Sequence, residues 1–391
     1  MAVSALDQGL FEGGPPDGLQ QRLGLTGPGR RRVVRRALLS ILVGWLPVVV
    51  LGAVRALTQH THDLSSVAFD YGLHARGLVA TPVLILGEAV CGPYLGAIAR
   101  QFRDAHLVPE ADEPRYERIC DRIRRLLVSP AAEVAVVVLA YLITIDILTG
   151  ASAALAPAWG AATVGDRVSL TPAGCWYVLV SLPLLMALLL GWLWRVVLWS
   201  VFLACTAHLP LRLVASHPDH AAGLEFVGHS ARGFCLPAFA ISAVAAGRMA
   251  VVISQHGPEP VQPKLMAVAA LAALGLLIFA GPTLLFAHRL VEERRKGALA
   301  YGRLADELGR QFERRWLDRP PVEAEALSVP DFSATTDLYS VAANVYALRL
   351  APIDRDSLVA LLLALLLPFA PVALMAAPVG QLLKVVKSLL L

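Results

Sequence analysis

The sequence predicts an all-α fold: a multi-pass transmembrane helical bundle with cytoplasmic amphipathic helices. Three observations carry that prediction. Of 391 residues, 57% are hydrophobic and 16% charged, and the mean hydropathy is +0.62, outside the range of soluble domains. Several runs exceed about 18 apolar residues with at most one charge, enough to cross a hydrocarbon core of ~30 Å as a helix. The arginines gather in particular loops, so the formal charge of +4 reads as topology rather than as a nucleic-acid surface.

Residues 1–36 read as a flexible, basic cytoplasmic tail. Positions 1–29 are rich in Gly, Pro and Gln. Arg30, Arg31, Arg32, Arg35 and Arg36 then stand immediately before the first membrane helix, 37–57, and keep the N-terminus inside. No aromatic platform accompanies them, so nucleic acid is not an expected partner. The first apolar run is too long for a signal peptide. The loop 58–76, with His60, His62, Asp63, Asp70 and His74, faces the periplasm, and its spacing matches no strict metal-ligand pattern. Helix two, 77–99, carries Glu88 near its middle, with Pro82, Gly87, Gly92 and Pro93 around it. An unpaired carboxylate there costs on the order of a few kcal/mol, so Glu88 faces protein or water. It is expected to be a proton carrier or cation site, or else half of a structural ion pair or a protonated, hydrogen-bonded acid.

The cytoplasmic loop 100–130 interleaves arginines with acids. From Glu113 onward it is an amphipathic surface helix, with Tyr116, Ile119, Ile123 and Leu127 at three- and four-residue steps. It docks on anionic headgroups or on neighbouring loops. Helix three, 131–150, begins with Glu133 and carries Asp146 near its periplasmic end; the loop 151–174 is rich in small residues. Helix four, from Trp176 to Leu209, would reach roughly 50 Å, so it tilts, kinks at Pro183 or projects into the cytoplasm. Trp192, Trp194 and Trp199 bracket Arg195 where the inner interface falls, and read as an aromatic belt with a snorkelling arginine.

The following turn holds His208, Arg212, His217, Asp219, His220, Glu225, His229 and Arg232. His217, Asp219 and His220 either hold a divalent cation or cap a loop that ties helices four and five together. Gly228-His229-Ser230 does not match a nucleophile elbow. The run His217-Pro218-Asp219-His220-Ala221-Ala222-Gly223-Leu224, with Trp192-Leu193-Trp194-Arg195, resembles a family of uncharacterised bacterial polytopic inner-membrane proteins. In that family the segment takes the form His-Pro-Asp-x-Ala-Gly-Gly-Leu-Gly-Phe. A glutamate at the Glu88 position and the segment 348–371 are similar too, so the resemblance covers most of the chain from about Leu78. The chain departs from the pattern at Ala222 and Glu225, where glycines are expected, which implies a less sharp turn. The resemblance implies architecture and a bacterial inner-membrane location, and no function.

Helix five, 234–254, contains Pro237, Gly247 and Arg248. Counting from its cytoplasmic start puts Arg248 at the depth of Glu88. The two are expected to pair and offset part of each other's desolvation. Helix six, 265–287, returns inside and runs into a polar segment. There Tyr301, Ala305, Leu308, Phe312 and Trp316 form an apolar stripe for a neighbouring helix or subunit. A last apolar run, 358–377, interrupted by Pro368 and Pro371, either spans or re-enters, and an amphipathic tail follows.

The organisation is therefore a tail 1–36, a bundle 37–288 with cytoplasmic loops 100–130 and 208–233, a cytoplasmic helical segment 289–356, and a C-terminal membrane segment 357–391. Cys91, Cys120, Cys175, Cys205 and Cys235 form no CxxC pair or Cys/His cluster, and no cofactor is expected. No Walker, zincin, rhomboid-like or deaminase signature appears, so the reading leans away from an enzyme. The leading expectation is a homo-oligomeric channel or transporter for an ion or small solute, surrounded by membrane lipids and using Glu88 and Arg248. The alternatives are a scaffold or signalling protein that binds a partner through its cytoplasmic helices, and a lipid-acting enzyme near Trp194, Arg195, His217 and Asp219.

Overall fold

The apolar runs become long helices, with irregular turns beside several of their prolines, although Pro93 sits inside the unbroken α-helix Thr81–Asp104. The computed structural model describes residues 9–15, 30–59, 63–150, 159–164, 167–317 and 331–376. Among these, seven helices are long and apolar enough to cross a membrane: Val33–Thr58, Tyr71–Asp104, Pro130–Thr149, Pro172–Ala207, Cys235–His256, Val261–Trp316 and Arg355–Ala376, here spans one to seven. The chain is an all-α, polytopic membrane protein. Spans two, four and five are the most enclosed, whereas three and six lie at the edge. The segment expected to be a plain loop before span four contains an antiparallel hairpin, Ala161–Val164 with Arg167–Leu170.

Prolines explain the irregular turns. A proline cannot donate the i→i−4 hydrogen bond and its ring crowds that carbonyl. Pro82 and Pro183 follow wide π-helical turns at Ala75–Ala80 and Tyr177–Ser181, and Pro282 and Pro368 sit in tight 3-10 turns at Gly281–Phe286 and Leu367–Phe369. Pro47 follows the break between Arg30–Gly44 and Leu46–Gln59 in span one. The Val43 carbonyl it cannot serve accepts the Trp176 indole N–H at 2.9 Å.

The last apolar run forms one helical path, long and apolar enough to span, rather than a hairpin. Span seven starts beside Ser230–Gly233 and follows span five along its length. Phe369 and Val372 finish against Ala246, Ala250 and Ile253, near the far end of span five. Span six continues beyond the apolar stretch as one helix to Trp316, and this polar extension packs on the helix Asp331–Tyr346. The surface helix Glu113–Leu127 lies against span four and the end of span two. Its Tyr116, Cys120, Ile123 and Leu127 are buried, and the Tyr116 hydroxyl donates to the Ala99 carbonyl at 2.6 Å. The tail 377–391 lies outside the described residues.

Candidate functional site

Glu88 stands sixteen residues before the end of span two, about 24 Å along the helix axis. Its side chain is 8% exposed. Arg36 of span one donates to Oε2 at 2.7 Å, and Arg195 of span four donates to Oε1 at 3.0 Å. Arg195 is 4% exposed and also lies over the Trp192 ring, 5.2 Å from its centroid. Trp192 in turn donates its indole N–H to the Leu84 carbonyl at 3.1 Å and packs on Gly87, where a Cβ would come within 2.9 Å of the ring. One acid is thus shared by two guanidiniums, and the triad carries one positive charge in excess. Burying it is tolerable only because every member is paired.

This is not the pair expected from depth. Arg248 is exposed on span five, and no ion pair to it occurs among the described residues. The reason is depth first and azimuth second. A Cβ on Gly87 would lie 3.4 Å from Leu236 Cβ, so Glu88 is level with the start of span five. Arg248 lies twelve residues farther on, about 18 Å. Gly247 faces span two so closely that a Cβ there would lie 3.1 Å from the Tyr71 carbonyl and 3.3 Å from Gly72 Cα. The next residue on a helix points about 100° away, so Arg248 turns outward. The expected interface anchor is also redistributed. Trp192, Arg195 and Trp199 are buried, and Trp194 is half-buried with its indole N–H 3.3 Å from the Leu126 carbonyl of the surface helix. Positions 192, 195 and 199 share one helical face, and that face is internal.

Residues 9–15, expected in a flexible tail, form a wedge between spans two and four. Leu10 and Phe11 are buried, and the Phe11 ring meets Trp199 and Phe202 edge-on at 5.3 and 6.0 Å. The carbonyls of Gly13 and Pro15 accept from Arg195 at 3.1 and 3.3 Å. Those of Gly9 and Glu12 accept from Arg124 of the surface helix. Two glycines cut the slot: a Cβ on Gly92 would stand 2.8 Å from the Phe11 carbonyl, and one on Gly191 would overlap the Pro15 carbonyl. Backbone oxygens of the chain itself therefore cap the triad from the arginine-rich end.

On the other side of the triad, the two π-helical turns face each other. The Arg76 guanidinium lies over the Tyr177 ring, 5.3 Å from its centroid, and its Nε donates to the Gly72 carbonyl at 2.8 Å. Arg76, Thr81, Tyr177 and Ser181 line a cavity of about 10 Å³, the size of one water. The Tyr177 hydroxyl is buried without a hydrogen-bond partner among the described residues. Farther out, Asp70 caps Leu73 N at 2.8 Å and accepts the Trp159 indole N–H at 2.9 Å. Trp45 donates to His74 Nδ1 at 3.0 Å, which puts the ring proton on Nε2, 3.0 Å from the Ala68 carbonyl. Spans one, two and four thus enclose a column with polar groups at two levels, the Glu88 triad and the Arg76–Tyr177 cluster, and buried Leu84, Ile85, Leu185 and Leu188 between them. His60, His62 and the Asp63 side chain lie outside the described residues.

The His217–Asp219–His220 turn is a knot of hydrogen bonds. Asp219 Oδ1 accepts from Ala221 N and Gly223 N at 2.8 and 3.1 Å, Oδ2 accepts from Glu225 N at 3.2 Å, and His217 Nδ1 lies 2.7 Å from Oδ1. Burial alone would raise the Asp219 pKa, but these donors hold it below its ordinary value. Among the described residues no group of three or more His, Cys, Asp or Glu converges as a metal site. The turn is instead tied to the entry of span seven: Arg349 N donates to the His220 carbonyl at 2.8 Å, and Arg232 meets Asp354 at 3.4 Å.

No family model, curated protein or solved structure matches this chain. Its function has to be argued from its own geometry. In that geometry Arg36 and the wedge carbonyls were missed by reading the sequence. Arg36 had a signal: Arg36, Ser40, Gly44 and Val48 recur at four-residue steps, and the last three are buried. The carbonyls of Gly13 and Pro15 had none, because side-chain patterns do not report backbone acceptors.

Proposed function

We propose that the protein is a channel or transporter for small anions, with the polar column between spans one, two and four as its path and residues 9–15 as its closed gate. The observation that carries this reading is the Arg36–Glu88–Arg195 triad. Glu88 neutralises one guanidinium and leaves the charge of the other to attract an anion. Arg76 stands farther along the same column, about 18 Å from Glu88, and adds a third guanidinium there. Buried charges at membrane depth are features of ion and solute paths. While the wedge is seated, Gly13 and Pro15 oxygens occupy Arg195 in place of a ligand. Withdrawal of the wedge presents that guanidinium to an entering anion. The arginines before span one and those of 100–125 and 288–316 support a cytoplasmic location for the wedge end, and the resemblance supports a bacterial inner membrane.

The test is chloride efflux from proteoliposomes containing the full chain or a variant lacking residues 1–15. The deletion raises chloride efflux about tenfold, with no matching rise for potassium, and Arg195→Gln in the deletion background abolishes it. Equal chloride and potassium leak, or no flux from either protein, rejects the reading. The scaffold alternative keeps one supporting observation: Leu299 and Leu304 on the polar extension of span six are 68% and 54% exposed. A monodisperse monomer in light scattering, with both leucines accessible, would count against it.

A further inference from the structure

The surface helix Glu113–Leu127 uses one face to bind the bundle and leaves the other with three arginines. Arg115, Arg118 and Arg122 recur at three- and four-residue steps and are exposed. They overhang an open groove of about 190 Å³. Its floor is apolar and comes from two elements, Ile119 and Ile123 of the helix and Val201 and Cys205 of span four. Among the described residues Arg115 and Arg122 have neither an ion pair nor a hydrogen bond, and Arg118 bonds only the Pro114 carbonyl of its own helix, at 3.2 Å. The helix acids Glu117 and Asp121 do not line the groove. The helix cannot roll away from this pose, because Tyr116 is bonded to Ala99 and Leu126 to Trp194.

The floor continues outward along span four. Leu193, Val197 and Val201 follow one another at four-residue steps on its outer face and are 51%, 41% and 37% exposed. From Cys205 to Leu193 this track is about 18 Å long. A cationic mouth at the end of an apolar span thus opens onto a strip long enough for an extended hydrocarbon chain. We infer that the groove binds one anionic glycerophospholipid of the surrounding membrane, its phosphate held by Arg115, Arg118 and Arg122 and one acyl chain laid on Val201, Val197 and Leu193. Guanidiniums offer planar, paired donors that match phosphate oxygens. A choline headgroup would bring its own cation against three arginines that have no acid between them. The site stands apart from the triad and does not depend on the anion path.

The experiment is native mass spectrometry of the full chain in detergent with phosphatidylglycerol or phosphatidylcholine. One phosphatidylglycerol is retained, phosphatidylcholine is not, and millimolar inorganic phosphate does not displace it. The triple variant Arg115→Gln/Arg118→Gln/Arg122→Gln weakens retention by about a hundredfold with an unchanged melting temperature, since all three side chains are exposed. Val201→Asn weakens it as well. A control that removes the same charge elsewhere, Arg295→Gln/Arg303→Gln/Arg314→Gln, retains the lipid. Loss of lipid in the control to the same degree, complete displacement by inorganic phosphate, or equal retention of the two lipids each overturns the inference.

Discussion

Glu88 has two partners, so at the scale of the residue the cost of removing it depends on what is left behind. Glu88→Gln strands two guanidiniums in the bundle and destabilises it by about 3–5 kcal/mol. Adding Arg195→Met relieves one of them, so the double variant melts higher than the sum of the singles predicts. Arg248→Gln, on an exposed side chain, changes stability by less than about 0.5 kcal/mol and adds independently to Glu88→Gln. Melting the set in one detergent separates the observed triad from the pairing with Arg248. Asp219 gives a pH signature. Its folded pKa lies below the ordinary ~3.9, so its contribution is fully present above that value and is lost as pH falls through the lowered one. Asp354 has the same sign: burial would raise it, but Ser357, His229 and Arg232 hold it down. Asp219→Asn removes one of the two contributions at neutral pH and flattens the acid limb of melting temperature against pH; an unchanged limb would contradict this. Ala222 corrects the expectation of a blunter turn. Its φ is +55°, in the left-handed region despite the methyl group, and Gly223 follows at +91°. Ala222→Gly is therefore neutral or stabilising by up to about 1 kcal/mol, while Ala222→Val costs more than 1 kcal/mol.

Between elements, glycines decide which surfaces meet. Gly247 lets span five touch the backbone of span two, and Gly92 with Gly191 opens the slot for residues 9–15. Gly191→Leu fills that slot while leaving the span apolar, so it ejects the wedge. Hydrogen exchange at residues 9–15 should then rise to the rate of an unstructured peptide; continued protection would show that the wedge is held elsewhere. The helices themselves were legible, because an apolar run of sufficient length has few other options in a membrane. Of their prolines, Pro183 was read as a possible kink and does follow a π-helical turn, whereas Pro93 leaves its helix unbroken. The facing of each span was not legible from counting alone, since residue number fixes height along a helix and says little about its rotation. Counting from the helix ends also misjudged how spans two and five are offset: Glu88 is level with Leu236, whereas Arg248 is level with Tyr71 to Ala75. Trp192, Arg195 and Trp199 carried the missing rotational information in their spacing, which an interface reading of tryptophan obscured. The wedge was hidden by composition: Gly and Pro in 9–15 read as loop, and here they allow close backbone approach.

At the scale of the whole molecule, spans two, four and five form the enclosed centre and spans three and six present their apolar side chains outward. Val134, Val138, Leu142 and Ile145 on span three are exposed in this way, as a surface that meets acyl chains requires. Charge is placed by the same logic. The paired triad is inside, the unpaired arginines of the surface helix are at the apolar boundary, and the histidine-aspartate knot fastens the connection between spans four, five and seven. In the proposed path the chain's own N-terminal segment seals the column beside Glu88. Ser40 shares the helical face of Arg36 and is buried, so it can report on that seal. In a background with the five native cysteines replaced, Ser40→Cys should resist a membrane-impermeant thiol reagent in the full chain. It should react about tenfold faster once residues 1–15 are removed. Equal rates in the two proteins would mean that the wedge closes nothing.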